Sequence, residues 1–333
     1  MDPEVEIERL SSVRSTQTLY FVGGLLGQKT NRGWTLFPVS GDESEDVLLL
    51  GSWDNFEAAV KELELLYVGT EQRISSEEDS PTIRFWEPGR RDTNGLNAAD
   101  AWAGVANSAE KACDAYYSNL ATYISACLRV AGLRLRSTSE GYHDQLRWAL
   151  RARTPVGRGF SNVAVLDIYA DIHSLLSELA SARDHLARIA AVHVQAPEKI
   201  DCLARLEEWV KSNKAAGSEP LVAALLTASG TKESPSWLRR LTEFRNEVTH
   251  RIPLAANSRV SELLLECQTT RLGRIFTIRL GKIRANGGGA TAGVDPLAEV
   301  AELSRKMEVL LRSASRLAKY QPSFPTFIGS LGT

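Results

Sequence analysis

The first apolar residues of the chain are spaced as in strands. Between residue 18 and about residue 50, "TLYFVGGLLG", "GWTLFPV" and "DVLLLG" are short runs rich in apolar residues, parted by glycine-rich or polar turns. In "SWDNFEAAVKELELLYVG" the spacing changes: Phe56, Val60, Leu63 and Tyr67 return at intervals of three and four, which predicts a short helix with Ser52 as its N-cap. The acidic "SSEEDSP" and the later "EPGRRDTNG" read as loop, and a domain boundary is expected near residue 95.

Beyond Asn97 the pattern is that of long helices. "NAADAWAGVANSAEKACDAYYSNLATYISACLRVAGL" aligns Trp102, Ala106, Ala109, Cys113, Tyr116, Leu120, Ile124 and Cys127 along one face. A shorter segment, "YHDQLRWALRA", leads through a Pro155 loop to a second long helix from about Asn162 to Val194. Its stripe is Ile168, Ile172, Leu175, Leu179, Ala182, Leu186 and Ile189. Two short helical pieces follow, near 198–212 and 219–229. "SPSWLRRLTEFRNEVTHR" then opens a helix with Ser234 as N-cap and Pro235 in the first position. Residues 261–283 predict a β-hairpin turning at Gly273, and "ANGGGATAG" a flexible loop. Asp295 and Pro296 start a last amphipathic helix, with Leu297, Val300, Leu303, Met307, Leu310 and Leu311 on its apolar face. Helices with such stripes must bury them against one another. The expected fold is therefore mainly α, with three parts: a small N-terminal α+β region over 1–95, an up-and-down helical bundle with a β-hairpin insertion over 96–320, and a tail over 321–333.

Composition narrows the chemistry. The 333 residues are 43% hydrophobic and 24% charged, as in an ordinary soluble globular protein, and suffice for roughly two domains. The formal net charge of −2 provides no general basic field, so any nucleic-acid site must be local. Cys113, Cys127, Cys202 and Cys267 are widely spaced without a C-x-x-C pair. Neither a zinc site nor a disulfide framework is indicated, and reduced thiols in a cytoplasm are expected. The acidic "MDPEVEIERL" does not resemble a secretory signal, and no run of about 18 apolar residues offers a membrane span.

The densest chemistry lies in "LTEFRNEVTHRIP", Leu241 to Pro253. On an ideal helix Trp237, Leu241, Phe244 and Val248 form the core-facing edge, and Arg245 lies beside it. A guanidinium bordering apolar surface is costly unless an acid or a phosphate meets it. Asn246 lies four residues before His250 and can hydrogen-bond one imidazole nitrogen, fixing the tautomer. Arg245 and His250 diverge by about 140° in ideal geometry, so they converge only if the arginine reaches around, the helix bends, or a second subunit completes the site. A structural reading stands beside this one: arginines next to a core are commonly paired, and a histidine near a helix end commonly caps carbonyls.

The segment "RNEVTH" resembles the R-x4-6-H signature of HEPN (higher eukaryotes and prokaryotes nucleotide-binding) domains, in which a polar residue directly follows the arginine. The resemblance covers roughly residues 97–320 and includes the order of helices and hairpin. It implies a homodimeric, metal-independent endoribonuclease that uses no cofactor, placed in the cytoplasm in a bacterial toxin–antitoxin or anti-phage setting. An antitoxin or other regulatory protein would be a further partner, and no membrane is involved. By position, Arg245 would hold the scissile phosphate, His250 would act as general acid or base, and Asn246 would orient it. Arg239, Arg240 and Arg251 would hold flanking phosphates, and Asp184 in "SARDHLA" would be the polar residue facing the arginine from a neighbouring helix.

Two other readings exist. One is a non-catalytic HEPN-like binding or scaffolding module. The other is a di-iron carboxylate bundle, because Glu110, Glu140 with His143, Glu178, and Glu247 with His250 occur in the required order. Against the latter, Gly141 in "RSTSEGYH" places Glu140 in a loop or first turn. "GGLLGQKT" has one residue too many between its last glycine and the lysine for a phosphate loop, and reads as strand and turn.

Overall fold

The computed structural model describes residues 14–38, 48–75, 83–88, 96–246, 248, 263–270, 273–280 and 295–324. In chain order these form β1 (Arg14–Phe21), β2 (Leu25–Thr30), β3 (Gly33–Pro38), β4 (Leu48–Gly51), α1 (Trp53–Glu62), β5 (Tyr67–Ser75) and β6 (Ile83–Pro88). Then come α2 (Ala98–Lys111), α3 (Ala115–Arg151), β7 (Gly159–Phe160), α4 (Val165–His193), α5 (Leu203–Ser212), α6 (Pro220–Ser229) and α7 (Trp237–Asn246). The hairpin β8 (Leu263–Thr270) and β9 (Gly273–Leu280) and the helix α8 (Pro296–Ser315) complete the described elements. The fold is mainly α with antiparallel β-structure. Among the described residues no helix is long and apolar enough to cross a membrane, and all four cysteines are free.

The chain divides into two compact units that do not follow a linear cut at residue 95. One holds residues 1–90, 132–173 and 248–302; the other holds 91–131, 174–247 and 303–333. The physical reason lies in the N-terminal sheet, which takes its covering residues from well past that position.

In the first unit β4-β3-β2-β1-β5-β6 form one antiparallel sheet. Leu19, Phe21, Leu25 and Leu36 pack on one face against Phe56 of α1 and Ile275 of β9. The opposite face, which carries Tyr20 and Leu26, also holds buried charge. Glu71, on the interior strand β5, is 1% exposed and pairs with Arg73 and Arg84, and Arg84 pairs also with Glu140 of α3. The Tyr20 ring meets the Trp86 and His143 rings edge-on. The β1–β2 turn requires glycine: at Gly24 (φ +68) a Cβ would stand 2.5 Å from Leu146 and 2.6 Å from the Phe276 carbonyl. "GGLLGQKT" is therefore turn and strand, as its spacing indicates. Buried Tyr142 joins α3 to the hairpin and to α8, accepting from Ile278 N (3.1 Å) and donating to Asp295 Oδ2 (3.0 Å). Asp295 Oδ1 also accepts from Leu297 N and Ala298 N, which makes it the N-cap expected of α8.

In the second unit Trp102 of α2 is fully buried and donates to the Leu311 carbonyl (2.9 Å), and Glu308 accepts Ala98 N (2.7 Å) at the start of α2. A hydrogen-bonded chain follows. His193 bonds Glu219 through Nδ1 (3.0 Å) and the Tyr117 hydroxyl through Nε2 (3.1 Å), and that hydroxyl accepts Lys319 N (3.0 Å).

Three elements differ from the pattern reading. Tyr67 belongs not to the first helix but to β5, which the reading misses, as it misses β6. The interior position of β5 is filled by Glu71, so the polar–apolar alternation that marks a strand is absent. The first long helix is broken at Ala112–Asp114, where Cys113 turns left-handed (φ +58) and Asp114 caps α3 through Tyr117 N (3.1 Å). The break shifts the helical phase, burying Tyr117 and leaving Tyr116 50% exposed. Helix α3 then runs through Gly141 without interruption. A Cβ there would stand 3.0 Å from Ile168, so the glycine serves close packing. Glu140 is thus helical, contrary to expectation.

Two predictions follow from the Tyr142 junction. Tyr142→Phe leaves a buried N–H and a carboxylate oxygen without their partner, and should lower the free energy of unfolding by about 1–3 kcal/mol in urea titrations. Burial pushes the Asp295 carboxyl up to about 6, so the native state binds a proton that the unfolded chain releases, and its contribution to stability falls as pH rises from about 4 through 6. Burial lowers the His143 imidazole to about 4, giving the opposite slope between about 4 and 6.5. The stability of Asp295→Asn relative to the parent should therefore rise from pH 4 to pH 7. A flat difference across that range would show that Asp295 does not titrate in this way.

Candidate functional site on the Arg245 helix

Helix α7 carries the arginine and asparagine singled out in the sequence. Its entry is a closed turn in which Gly230 (φ +70) pairs as a bridge with Pro235, Thr231 N donates to the Ser234 carbonyl (3.0 Å), and Ser236 N donates to the Ser229 carbonyl (3.0 Å). A Cβ on Gly230 would stand 2.4 Å from Ser234 O, so only glycine permits this closure. The turn holds Ser234 and Pro235, and the helix begins at Trp237 rather than at Pro235. The buried edge is Leu238, Leu241, Phe244 and Val248. Trp237, expected in that stripe, is only half-buried because the first turn starts two residues later.

Arg245 lies beside this edge, as its position indicates. It is half-buried, and its buried Nε makes no hydrogen bond among the described residues. The other arginines of the neighbourhood are engaged through other atoms, although the Nε of Arg239 is likewise buried without a hydrogen bond. Arg239 reaches Glu207 Oε2 (3.2 Å), whose second oxygen takes the Ser229 hydroxyl. Arg240 lies 5.3 Å from the centre of the Phe244 ring. Asn246 is the last residue of α7 and half-buried. His250 and Arg251, with Glu247, lie outside the described residues.

Asp184 has bonds within its own unit. Its carboxylate receives Arg183 through two bonds (Nε 2.9 Å, Nη2 3.0 Å) and accepts Leu203 N (3.1 Å) at the start of α5, where Cys202 supplies no side-chain cap. Arg183, 9% exposed, sends Nη1 to Thr242 of α7 (2.7 Å), one turn before Arg245 and Asn246. The pair therefore ties α4, α5 and α7 together and fixes the helix that carries Arg245. Sequence reasoning missed Arg183 and Thr242, although a signal existed: Arg183 falls on the apolar phase of Leu179 and Leu186, where a charge needs a partner.

Three of the ligands of the di-iron alternative, Glu140, His143 and Glu178, have other neighbours. Glu140 is taken by Arg84, and His143 is fully buried with Nδ1 on the Ser139 carbonyl (2.6 Å). Glu178 lies beside Cys127, whose thiol is pushed up to about 12 by burial and by that carboxylate. No three His, Cys, Asp or Glu side chains gather as metal donors among the described residues. The chain matches no known family model, no curated protein and no solved structure.

The linking role of Asp184 is separable from a role at the site. Asp184→Ala strands a buried guanidinium, and should lower the unfolding free energy by about 3 kcal/mol in urea melts. Glu208→Ala, which breaks a pair with Lys211 standing fully in solvent, should leave the midpoint unchanged.

Proposed function

We propose that this chain is a metal-independent endoribonuclease of the HEPN type, in which Arg245 holds the scissile phosphate and His250 serves as general acid or base. The observation that carries the reading is Arg245 itself. It stands on a helix braced through Thr242 and beside a packed edge, and its guanidinium nitrogen is buried without a partner among the described residues. A phosphate oxygen satisfies such a group with charge and hydrogen bonds together.

In the reaction, a base removes the proton of the RNA 2′-hydroxyl, and the freed oxygen attacks the adjacent phosphorus. The bond to the 5′-oxygen breaks as that oxygen receives a proton, leaving a 2′,3′-cyclic phosphate and a 5′-hydroxyl. Arg245 would neutralise the charge gathering on the non-bridging oxygens. His250 would move one of the protons, with Asn246 holding its ring. DNA lacks the attacking hydroxyl and would not be cleaved. Because Arg239 and Arg240 already serve Glu207 and Phe244, their part in holding flanking phosphates is secondary to that of Arg245. A homodimer, a restraining partner protein and a toxin or anti-phage role complete the proposal on the strength of the resemblance.

End-labelled tRNA and unstructured RNA, incubated in EDTA, should yield fragments with cyclic phosphate ends. Arg245→Ala and His250→Ala, checked for folding by circular dichroism, should each be slower by about 100-fold or more. Undiminished cleavage by a folded His250→Ala protein would overturn the assignment. Absence of cleavage by the parent would favour a binding or scaffolding module.

A further inference from the structure

The turn at Cys113 leaves two tyrosines of α3 facing solvent on the side next to α4. Tyr116 and Tyr123 are 50% and 55% exposed. They are seven residues apart and so lie on one face, about 10 Å from each other along the axis. Each is met by a flat group from α4. The His185 imidazole stacks on Tyr123, with ring centres 5.1 Å apart and planes inclined by 16°. The Arg188 guanidinium lies 5.8 Å from the centre of the Tyr116 ring and reaches its hydroxyl (3.4 Å). The result is two rungs of planar groups, all four in the unit that also holds α7.

The electrostatics of the strip suit a polyanion with flat faces. Arg188 supplies a positive charge, and the acids near the strip in sequence are engaged, Asp184 with Arg183 and Leu203 N and Asp114 with Lys319 and Tyr320. Burial, and then the neighbouring Arg188, holds the His185 imidazole below its ordinary range, so at neutral pH it offers a ring rather than a second charge. An apolar protein partner would want this surface without its cation. Unpaired bases want both, since they stack on aromatic and guanidinium planes while the backbone seeks positive charge.

The geometry points to Tyr116, Tyr123, His185 and Arg188 as a stacking platform for single-stranded nucleic acid, which takes splayed-out bases on the tyrosine rungs and a phosphate on Arg188. Under the ribonuclease reading, on which this rests, that ligand is the unpaired stretch of RNA beside the scissile bond. Duplex regions, with their bases already stacked, gain nothing from the platform.

The test measures binding apart from cleavage. A fluorescein-labelled single-stranded 2′-O-methyl oligoribonucleotide, which lacks the attacking hydroxyl, is titrated with the full-length protein, and anisotropy is read at low salt. The Tyr116→Ala/Tyr123→Ala double variant should bind about tenfold or more weakly, whereas Tyr116→Phe/Tyr123→Phe, which keeps the rings, should stay within about twofold of the parent. Binding of the corresponding duplex should not change. Equal affinity of the alanine variant and the parent, or no binding by the parent, would overturn the platform. So would conversion of a dimer to monomers by the alanine pair in sedimentation, which would make the strip an interface between copies. RNA cleavage by the parent with unchanged affinity of the alanine variant would sink the platform alone. Tyrosine-dependent binding without any cleavage would sink the nuclease reading alone.

Discussion

A guanidinium that is nine-tenths buried cannot be left to itself, and Arg183 shows what a chain must do to keep one. Its charge is met by Asp184 in two parallel hydrogen bonds, and its remaining arm reaches Thr242. Asp184 in turn holds the first amide of α5, which has no cap of its own. Two adjacent side chains thus tie three helices together, one of which carries Arg245. Such an arrangement costs desolvation that an apolar cluster would avoid. What it gives in return is direction, since a bidentate pair admits few geometries whereas leucines admit many.

The contrast among the arginines of α7 and its surroundings follows from the same constraint. Arg183 and Arg239 have acids, and Arg240 has an aromatic face. Arg245 keeps a buried nitrogen unmet among the described residues. Arg239 Nε is likewise unmet, but Glu207 takes its Nη2, and the proposed chemistry is therefore centred on Arg245 rather than on a general basic surface.

Much of this was legible in the chain. The caps at Ser52 and Asp295, the hairpin resuming at Gly273 and the apolar stripe of α4 all stand where period and turn chemistry put them. Part of what was not legible had one cause, namely a polar residue doing a buried residue's work. Glu71 hid a strand because its burial depends on Arg73 and Arg84, which no window around it reveals. The bonds of Asp184 were hidden because one partner sits next to it in sequence, whereas the amide it caps is nineteen residues away. The break at Cys113 was missed for a different reason: a left-handed residue that is not glycine leaves no mark in composition, although Asp114 behind it is an ordinary cap. The error mattered, because it exchanged Tyr116 for Tyr117 and so turned a surface residue into a core one.

The buried acid on one face of the N-terminal sheet ties strands made early to residues made much later. Arg84, the partner of Glu71, is held also by Glu140, and Tyr20 is met by His143, residues that emerge from a ribosome only after the six strands have been made. Until then the sheet would present a carboxylate, two arginines and an open aromatic row to water, with α1 closing only its other side. Contacts of such sequence separation must be reached through slow loop closure. The strands are first in synthesis, and one face of their sheet is completed only by a helix made after them.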